Sequence, residues 1–340
     1  MMRLPWFDYR APHSVTEAAR ILAGEGPQAM LLAGGTDLFP NMKRRQQTPA
    51  TLVALRGVPE LKEISNGKGL SLGAGVTLTR VASAEDVRER YAALVQAAAQ
   101  VATPHLRNMA TLGGNLCLDT RCNYYDQSYE WRKAIDFCLK KDGEICWVAT
   151  ASKRCVAVSS TDTAPALIAL RARVKLVSAA GEREVALEDL YKNDGIEYLT
   201  RKADEILTEV RLPDAAGWRS TYWKLRRRGS FDFPVLGVAA AAKFAKDGTV
   251  EEARIALGAV ASRPFLAPKA CEVLLGKRLG DDVIAEAAAA VASRAKPMDN
   301  ADMDIYWRKQ VTPNLVGYAL REIRGDDMSV TRLRIARQVL

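Results

Sequence analysis

The 340-residue sequence contains no uncharged apolar run near the roughly 18 residues that a membrane-spanning helix needs. Asp8 and Arg10 interrupt the N-terminal region where a secretory signal would carry its apolar core. Internal repeats and low-complexity linkers are also lacking. Because 48% of the residues are hydrophobic and 26% are charged, the composition excludes a disordered chain, a collagen and a small disulfide scaffold. We expect a cytoplasmic protein with no membrane partner.

Basic residues outnumber acidic ones and give a formal net charge of +9. A basic chain raises the possibility of nucleic-acid binding. The dense clusters, Lys43–Arg45 and Arg226–Arg228, are not interleaved with the stacking aromatics of single-strand binders. We therefore interpret the charge as solvated or docking surface, or as a site for a phosphate-bearing ligand, and expect no nucleic-acid partner.

Cysteine is absent from the first 116 residues and then concentrated, with five of the six cysteines lying within residues 117–155. Cytoplasmic thiols stay reduced, so a local group of them indicates a metal site more than a set of disulfides. Cys122, Cys138, Cys146 and Cys155 follow the spacing C-x15-C-x7-C-x8-C. Four thiolates suit either zinc or a [4Fe–4S] cluster, and the missing C-x2-C pairs leave that choice open.

The hydrophobic pattern predicts an α+β protein of about two domains, at roughly 150 residues per domain. Strands and helices alternate through residues 1–204, which we divide into units 1–58 and 59–204, with 117–155 as an insertion. A run of strands followed by helices predicts a separate α+β domain over 205–340.

Two glycine turns are the first candidates for a binding site. Gly34-Gly35 follows a predicted strand and precedes Thr36 and Asp37, and Gly113-Gly114-Asn115 comes about 80 residues later. Successive amides in such a turn can form a nest for a pyrophosphate, and Asp37 could fix the turn or bond a ribose. The pattern is not GxGxxG, which argues against a Rossmann nicotinamide site. Taken alone, each pair could equally be an ordinary tight turn.

Several motifs together resemble the FAD-binding subunits of molybdenum hydroxylases, the xanthine dehydrogenase and carbon monoxide dehydrogenase family. They are AGGTDL at 33–38, LRNMATLGGN at 106–115, TDTAPAL at 161–167, and YWKLRRR at 222–228 followed by DFP at 232–234. The resemblance covers essentially the whole chain. It implies two small α/β units that clasp FAD and a C-terminal α+β domain.

The resemblance also implies site residues. Asp162 would bond a polar part of the nucleotide, Lys224 would lie near the isoalloxazine, and Val101 would pack on the flavin. The pyrophosphate and its neighbouring groups would be held by Ala29, Met30, Leu31, Leu32, Ala33, Gly34, Gly35, Thr36, Thr111, Leu112, Gly113, Gly114 and Asn115.

The chain departs from most of the family because 46 residues separate Asn115 from Asp162. That segment, with CLDTRCNYYD at 117–126 and EWRKA at 130–134, resembles the flavin subunits of the 4-hydroxybenzoyl-CoA reductase branch. The resemblance implies a [4Fe–4S] cluster on Cys122, Cys138, Cys146 and Cys155, with Cys117 and Cys271 left out.

In that branch, ferredoxin electrons would pass through the cluster and FAD to partner subunits that carry [2Fe–2S] and a molybdenum cofactor. An aromatic acyl-CoA would be reductively dehydroxylated there, in a hetero-oligomer with two copies of each subunit. This chain would hold no catalytic residue of its own. The alternatives are an ordinary hydroxylase subunit with a structural metal in the loop, and a zinc-stabilised nucleic-acid-binding module.

Overall fold

The N-terminal unit is a three-stranded parallel sheet with helices beside it, in a computed structural model that describes residues 3–336. Ser14 begins the first helix: its hydroxyl accepts the Glu17 amide at 3.1 Å, and Glu17 in turn accepts the His13 amide at 2.7 Å. The strands lie in the order β1-β3-β2. The elements are β1 (Asp8–Arg10), α1 (Val15–Glu25), β2 (Ala29–Leu32), α2 (Leu38–Lys43) and β3 (Thr51–Ala54).

The second unit is a five-stranded antiparallel sheet, in the order β4-β5-β8-β6-β7, covered by short helices. Its strands are β4 (Ile64–Asn66), β5 (Leu70–Gly73), β6 (Arg173–Ser178), β7 (Gly181–Ala186) and β8 (Ile206–Leu212). Its helices are α3 (Leu78–Ser83), α4 (Glu85–Arg90), α5 (Ala92–Ala99), α6 (Pro104–Arg107), α7 (Leu112–Leu116), α8 (Tyr129–Ala134) and α9 (Thr163–Ala169).

Strand β8 corrects the expected domain boundary at 204–205. The sequence pattern assigned this strand to the C-terminal domain, but it pairs with β5 and β6 in the middle of the second sheet. Leu207, Val210 and Leu212 bury their side chains in the core of this unit, which is why the strand belongs here. The division between units therefore falls after Leu212.

The C-terminal unit is an antiparallel sheet in the order β12-β11-β10-β9, with long helices on one face. Side chains on a strand alternate between faces, so Trp223 packs against those helices while Tyr222 enters the core of the second unit. The elements are β9 (Trp218–Leu225), β10 (Leu236–Phe244), β11 (Val250–Gly258), β12 (Phe265–Leu266), α10 (Pro268–Leu274), α11 (Asp281–Ala292), α12 (Ile305–Arg324) and α13 (Ser329–Thr331).

The inserted segment 117–155 contains one short helix, α8, and is otherwise built from turns. It rejoins the second unit where Arg121 and Val158 exchange backbone hydrogen bonds of 2.8 and 2.7 Å. The buried Arg132 of α8 donates to the carbonyl of Arg44, just after α2, at 2.9 Å. The insertion is thus docked against the N-terminal unit. Within residues 3–336, no helix is both long and apolar enough to cross a membrane.

Candidate cofactor-binding site

A cavity of about 1080 Å³ lies where the three units meet. Its volume is at the upper end of the range of roughly 300–1,000 Å³ that is typical of ligand and cofactor sites. The sequence-predicted residues that line it are Ala29, Met30, Leu31, Ala33, Gly34, Gly35, Thr36, Val101, Thr111, Gly113, Gly114, Asn115 and Asp162. The structure therefore brings the two glycine turns and Asp162 to one cavity.

The first glycine turn packs against the backbone just before the second turn, and both turns line this cavity. A Cβ on Gly34 would lie 2.7 Å from the carbonyl carbon of Met109 and 3.0 Å from the Cα of Ala110. A Cβ on Gly114 would lie 3.8 Å from that of Ala33. Only glycine allows the first turn to approach the backbone before the second turn this closely. The left-handed backbone conformation that favours glycine is at neither of these positions but at Gly35, where φ is +72°.

The amides of the two turns differ in what they can offer a ligand. Gly34, Gly35 and Thr36 donate no backbone amide hydrogen bond to another described residue, so these N–H groups are available in the cavity wall. In the second turn, Gly113 donates to Ala74 O at 2.8 Å, and Gly114 donates to the Thr111 hydroxyl at 3.1 Å. The expectation that both turns act as anion nests is thus wrong for the second, whose amides already have acceptors.

Asp37 fixes the first turn. One of its carboxylate oxygens accepts from the Asn41 side chain at 3.0 Å, and the other pairs with the guanidinium of Arg121. Both oxygens therefore hold the chain around the turn. Of the two roles that the sequence left open for Asp37, the structure favours the fixing of the turn.

Three of the predicted residues do not reach the cavity. The Leu32 side chain packs in an apolar cluster behind β2, and Leu112 is fully buried in the core of the second unit. Lys224 is fully buried behind Asp162: its Nζ lies 2.9 Å from Asp162 Oδ2 and donates to Gln100 O at 3.0 Å.

Asp162 links the cavity to the C-terminal unit. Its second oxygen accepts from the Tyr222 hydroxyl at 2.8 Å, so both oxygens have partners on β9. Burial raises the pKa of Asp162 and lowers that of Lys224, because each would otherwise carry its charge without water. The ion pair and the tyrosine hydrogen bond oppose that cost. Lys224 thus contacts Asp162 from behind and does not itself line the cavity.

The inserted segment buries its four candidate ligands together. Cys122, Cys138 and Cys155 share a small apolar cluster with Tyr125 and Ala157. Cys146 is also buried, and it lies within electrostatic range of Cys155. Of the remaining thiols, Cys117 lines the cavity and the Cys271 sulfur accepts the Ile255 amide at 3.2 Å. The structure thus separates the four from the other two.

Burial acts on the protonation of these thiols. It raises the pKa of Cys122 to about 12 and that of Cys155 to about 11, so the free thiols stay protonated and would have to lose their protons on binding a metal. Within the described residues, no group of three or more His, Cys, Asp or Glu side chains is arranged to hold a metal ion.

Sequence reasoning missed the side chains that join the insertion to the cavity wall. The chief ones are Arg121, Asp126 and the buried pair of Lys140 with Asp119, whose Nζ–Oδ1 distance is 2.8 Å. Tyr125 donates to the other oxygen of Asp119 at 3.0 Å. The sequence did offer one indication of these contacts: Asp119, Arg121 and Asp126 lie close to Cys122, which is unusual for a segment that buries its cysteines.

Comparison with known proteins identifies the two parts of the chain. Residues 5–215 match the family model of the FAD binding domain in molybdopterin dehydrogenase, and residues 220–323 match that of the CO dehydrogenase flavoprotein C-terminal domain. These ranges divide on the C-terminal side of β8, as the sheet pairing does.

Individual relatives are FAD-binding or medium subunits of the same family. The chain is 35% identical over 269 residues to the aldehyde oxidoreductase FAD-binding subunit PaoB of Escherichia coli K12, a match that covers 76% of this chain and 83% of that one. It is 29% identical to the carbon monoxide dehydrogenase medium chain of Hydrogenophaga pseudoflava, over 93% of this chain and 96% of that one.

Solved structures show the same fold. Carbon monoxide dehydrogenase from Hydrogenophaga pseudoflava superposes with a TM-score of 0.76 at 28% identity, over 94% of this chain and 97% of that one. Quinoline 2-oxidoreductase from Pseudomonas putida 86 gives 0.74 at 28% identity, over 95% and 98%. The chain belongs to the molybdenum hydroxylase family and is one of its FAD-binding medium subunits.

Proposed function

We propose that this subunit carries two redox centres, FAD in the cavity and a [4Fe–4S] cluster on Cys122, Cys138, Cys146 and Cys155. The observation that carries the proposal is the position of the inserted segment. It buries the four thiols together, and the residues on either side of Cys122 line the FAD cavity. FAD exchanges electrons in pairs or singly, and an adjacent cluster supplies a one-electron port.

The residues of this chain would bind and orient the flavin rather than react with it. The available amides of Gly34, Gly35 and Thr36 suit the pyrophosphate. Asp162, held by Tyr222 and Lys224, presents a buried polar group to the cavity. The Asp162 carboxylate is paired with Lys224 and almost fully buried. Electrostatic effects on a cofactor are stronger at such a position than in water.

Four buried thiols match the ligand count of either a [4Fe–4S] cluster or a tetrahedral zinc ion. The thiols are close enough to affect one another electrostatically. The cluster is favoured over zinc by the motifs around Cys122, which resemble those of the 4-hydroxybenzoyl-CoA reductase branch.

The motifs around Cys122 support the 4-hydroxybenzoyl-CoA reductase branch. Electrons from a ferredoxin would enter at the cluster and pass through FAD towards subunits with [2Fe–2S] and a molybdenum cofactor, where an aromatic acyl-CoA is dehydroxylated. The complex would be cytoplasmic and contain two copies of each subunit. A second candidate is a hydroxylase in which electrons leave through the flavin, favoured by the 35% identity to an aldehyde oxidoreductase subunit.

The test uses the native complex purified under anaerobic conditions. We expect flavin absorbance, a broad iron–sulfur shoulder bleached by dithionite, and four iron atoms per FAD beyond those of the [2Fe–2S] subunit. Flavin without this extra iron would contradict the cluster, and flavin with zinc in its place would favour a structural metal in the inserted segment. Reoxidation of the reduced complex by 4-hydroxybenzoyl-CoA supports the reductase, whereas bleaching of the flavin by an aldehyde supports the hydroxylase.

A further inference from the structure

Arg121 lies between the first glycine turn and the cysteine segment and contacts both. Its guanidinium pairs with Asp37 on one side and with Asp126 Oδ1 on the other, at 3.1 Å. The same group donates to Asn41 Oδ1 on α2 at 3.1 Å. The Arg121 side chain is only 9% exposed, and it stacks over the Phe233 ring at 5.0 Å.

The contacts continue from Asp126 to the first thiol. Asp126 Oδ2 accepts the backbone amide of Cys122 at 3.3 Å. A chain of polar contacts therefore runs from the turn with available amides, through Asp37, Arg121 and Asp126, to the backbone of Cys122. At each end is the proposed site of a different cofactor.

Such a chain couples the two ends only if its middle member is held rigidly. A planar guanidinium can engage two carboxylates at once in fixed directions, which an ammonium cannot reproduce. Its removal would take the ion-pair partner from Asp37 and would leave Asp126 with Arg44 Nη1 at 4.0 Å. Both carboxylates are about a quarter exposed, so the main loss is the fixed link between them. Any factor that orders residues 122–126 would thus also order the Asp37 turn, and by thermodynamic linkage the effect is reciprocal.

We propose that Arg121 is a positioning residue that locks the FAD-binding turn to the cysteine segment, so that FAD binds tightly only when the cysteine centre holds its metal. The metal-dependent part rests on the cluster proposed above, whereas the lock between Arg121 and Asp37 does not. The consequence is an order of assembly in which iron loading precedes stable retention of flavin.

The experiment measures the FAD dissociation constant in the full complex after the flavin has been removed reversibly. In the wild type, iron removal by a chelator should weaken FAD binding about 10-fold, within the range usual for coupled sites. Arg121→Gln should weaken it about 10-fold with iron present, and iron removal should then add less than about 2-fold. Arg121→Lys should recover part of the loss, because charge without the planar fork restores one contact.

Two further variants separate the lock from a general loss of charge. Asp126→Ala should keep FAD affinity near that of the wild type with iron present, through the contacts of Arg121 to Asp37 and Asn41, but make it insensitive to iron. Lys141→Gln removes a positive charge from the same segment, where Lys141 pairs with the exposed Asp142 at 3.3 Å, and should behave as wild type.

The outcomes divide clearly. Wild-type FAD affinity in Arg121→Gln would overturn the lock, and an iron-independent affinity in the wild-type complex would overturn the coupling. If the wild type holds no iron in this subunit, the cluster proposal fails while the Arg121→Gln result still decides the lock. Should Arg121→Gln not fold, the reciprocal measurement in the wild type decides the coupling, because removal of FAD should lower the affinity for iron about 10-fold in an equilibrium competition with the chelator.

Discussion

Replacement of Gly34 by alanine tests whether the approach of the two turns is what holds FAD. The new Cβ would lie 2.7 Å from the carbonyl carbon of Met109. Ordinary carbon contacts begin at roughly 3.5 Å, and the Met109 carbonyl oxygen would be nearer still, so the turns must separate by at least about 0.8 Å. Overpacking of this size costs about 1–3 kcal/mol. If FAD binding requires the turns to stay in contact, this cost opposes binding, and at about 1.4 kcal/mol per tenfold the dissociation constant should rise roughly 5- to 150-fold.

Gly114→Ala is the matched control. Its Cβ would meet the Thr111 hydroxyl at 3.0 Å and the Ala33 methyl at 3.8 Å, contacts that small shifts relieve. We expect it to change FAD affinity by less than about 5-fold, which corresponds to about 1 kcal/mol. Titration of the deflavinated complex by flavin fluorescence gives both constants, and far-UV circular dichroism reports on the fold. Equal affinities for Gly34→Ala and the wild type would refute the argument.

Three other predictions concern the cysteines, the buried ion pair and the assembly. Serine at each of the four proposed ligands should lower iron per FAD by elemental analysis, whereas Cys117→Ser and Cys271→Ser should retain it; loss of iron in Cys117→Ser alone would move the first ligand to that residue. Lys224→Met should lower stability by about 3–5 kcal/mol in thermal or denaturant unfolding, because it leaves the Asp162 carboxylate buried without its cation. A wild-type stability would show that the pair is dispensable. Gel filtration of the native enzyme should show this chain travelling with a much larger subunit, and elution as a free, catalytically complete monomer would contradict the proposed complex.

The sequence predicted those parts of the fold that local patterns determine. Strands at residues 29–33, 51–55 and 70–74 are short apolar or alternating runs bounded by turns, and the structure has strands there. The Ala-rich pattern over residues 86–101 predicts one helix, and the structure divides it at Tyr91 into α4 and α5. The placement of β8 could not be predicted, because an alternating strand fits the edge of any sheet and only its partners decide which one.

Within the site, the sequence located the glycine turns and Asp162 but not what lies behind them. Glycine pairs after strands leave a local signature, whereas the partners of a buried charge are set by tertiary contacts. Arg121 and Asp37 are 84 positions apart, and Lys224 and Asp162 are 62 apart. The sequence could not show that the amides of the first turn are available and those of the second are not. That difference depends on whether a neighbouring carbonyl or side chain already accepts a hydrogen bond from each amide.

The alternation of side chains along strand β9 links the C-terminal unit to the cavity. On β9, Tyr222 and Lys224 share one face and reach Asp162 at the cavity, while Trp223 between them packs on the opposite face against the helices. A shift of one residue in the register of β9 would turn the lysine into that helical core and leave Asp162 uncompensated. Eight register pairs with β10 fix the strand against such a shift. The position of Asp162 in the cavity wall therefore depends on packing within the C-terminal unit. A substitution in the helix face that packs against Trp223 should affect the bound flavin through Asp162.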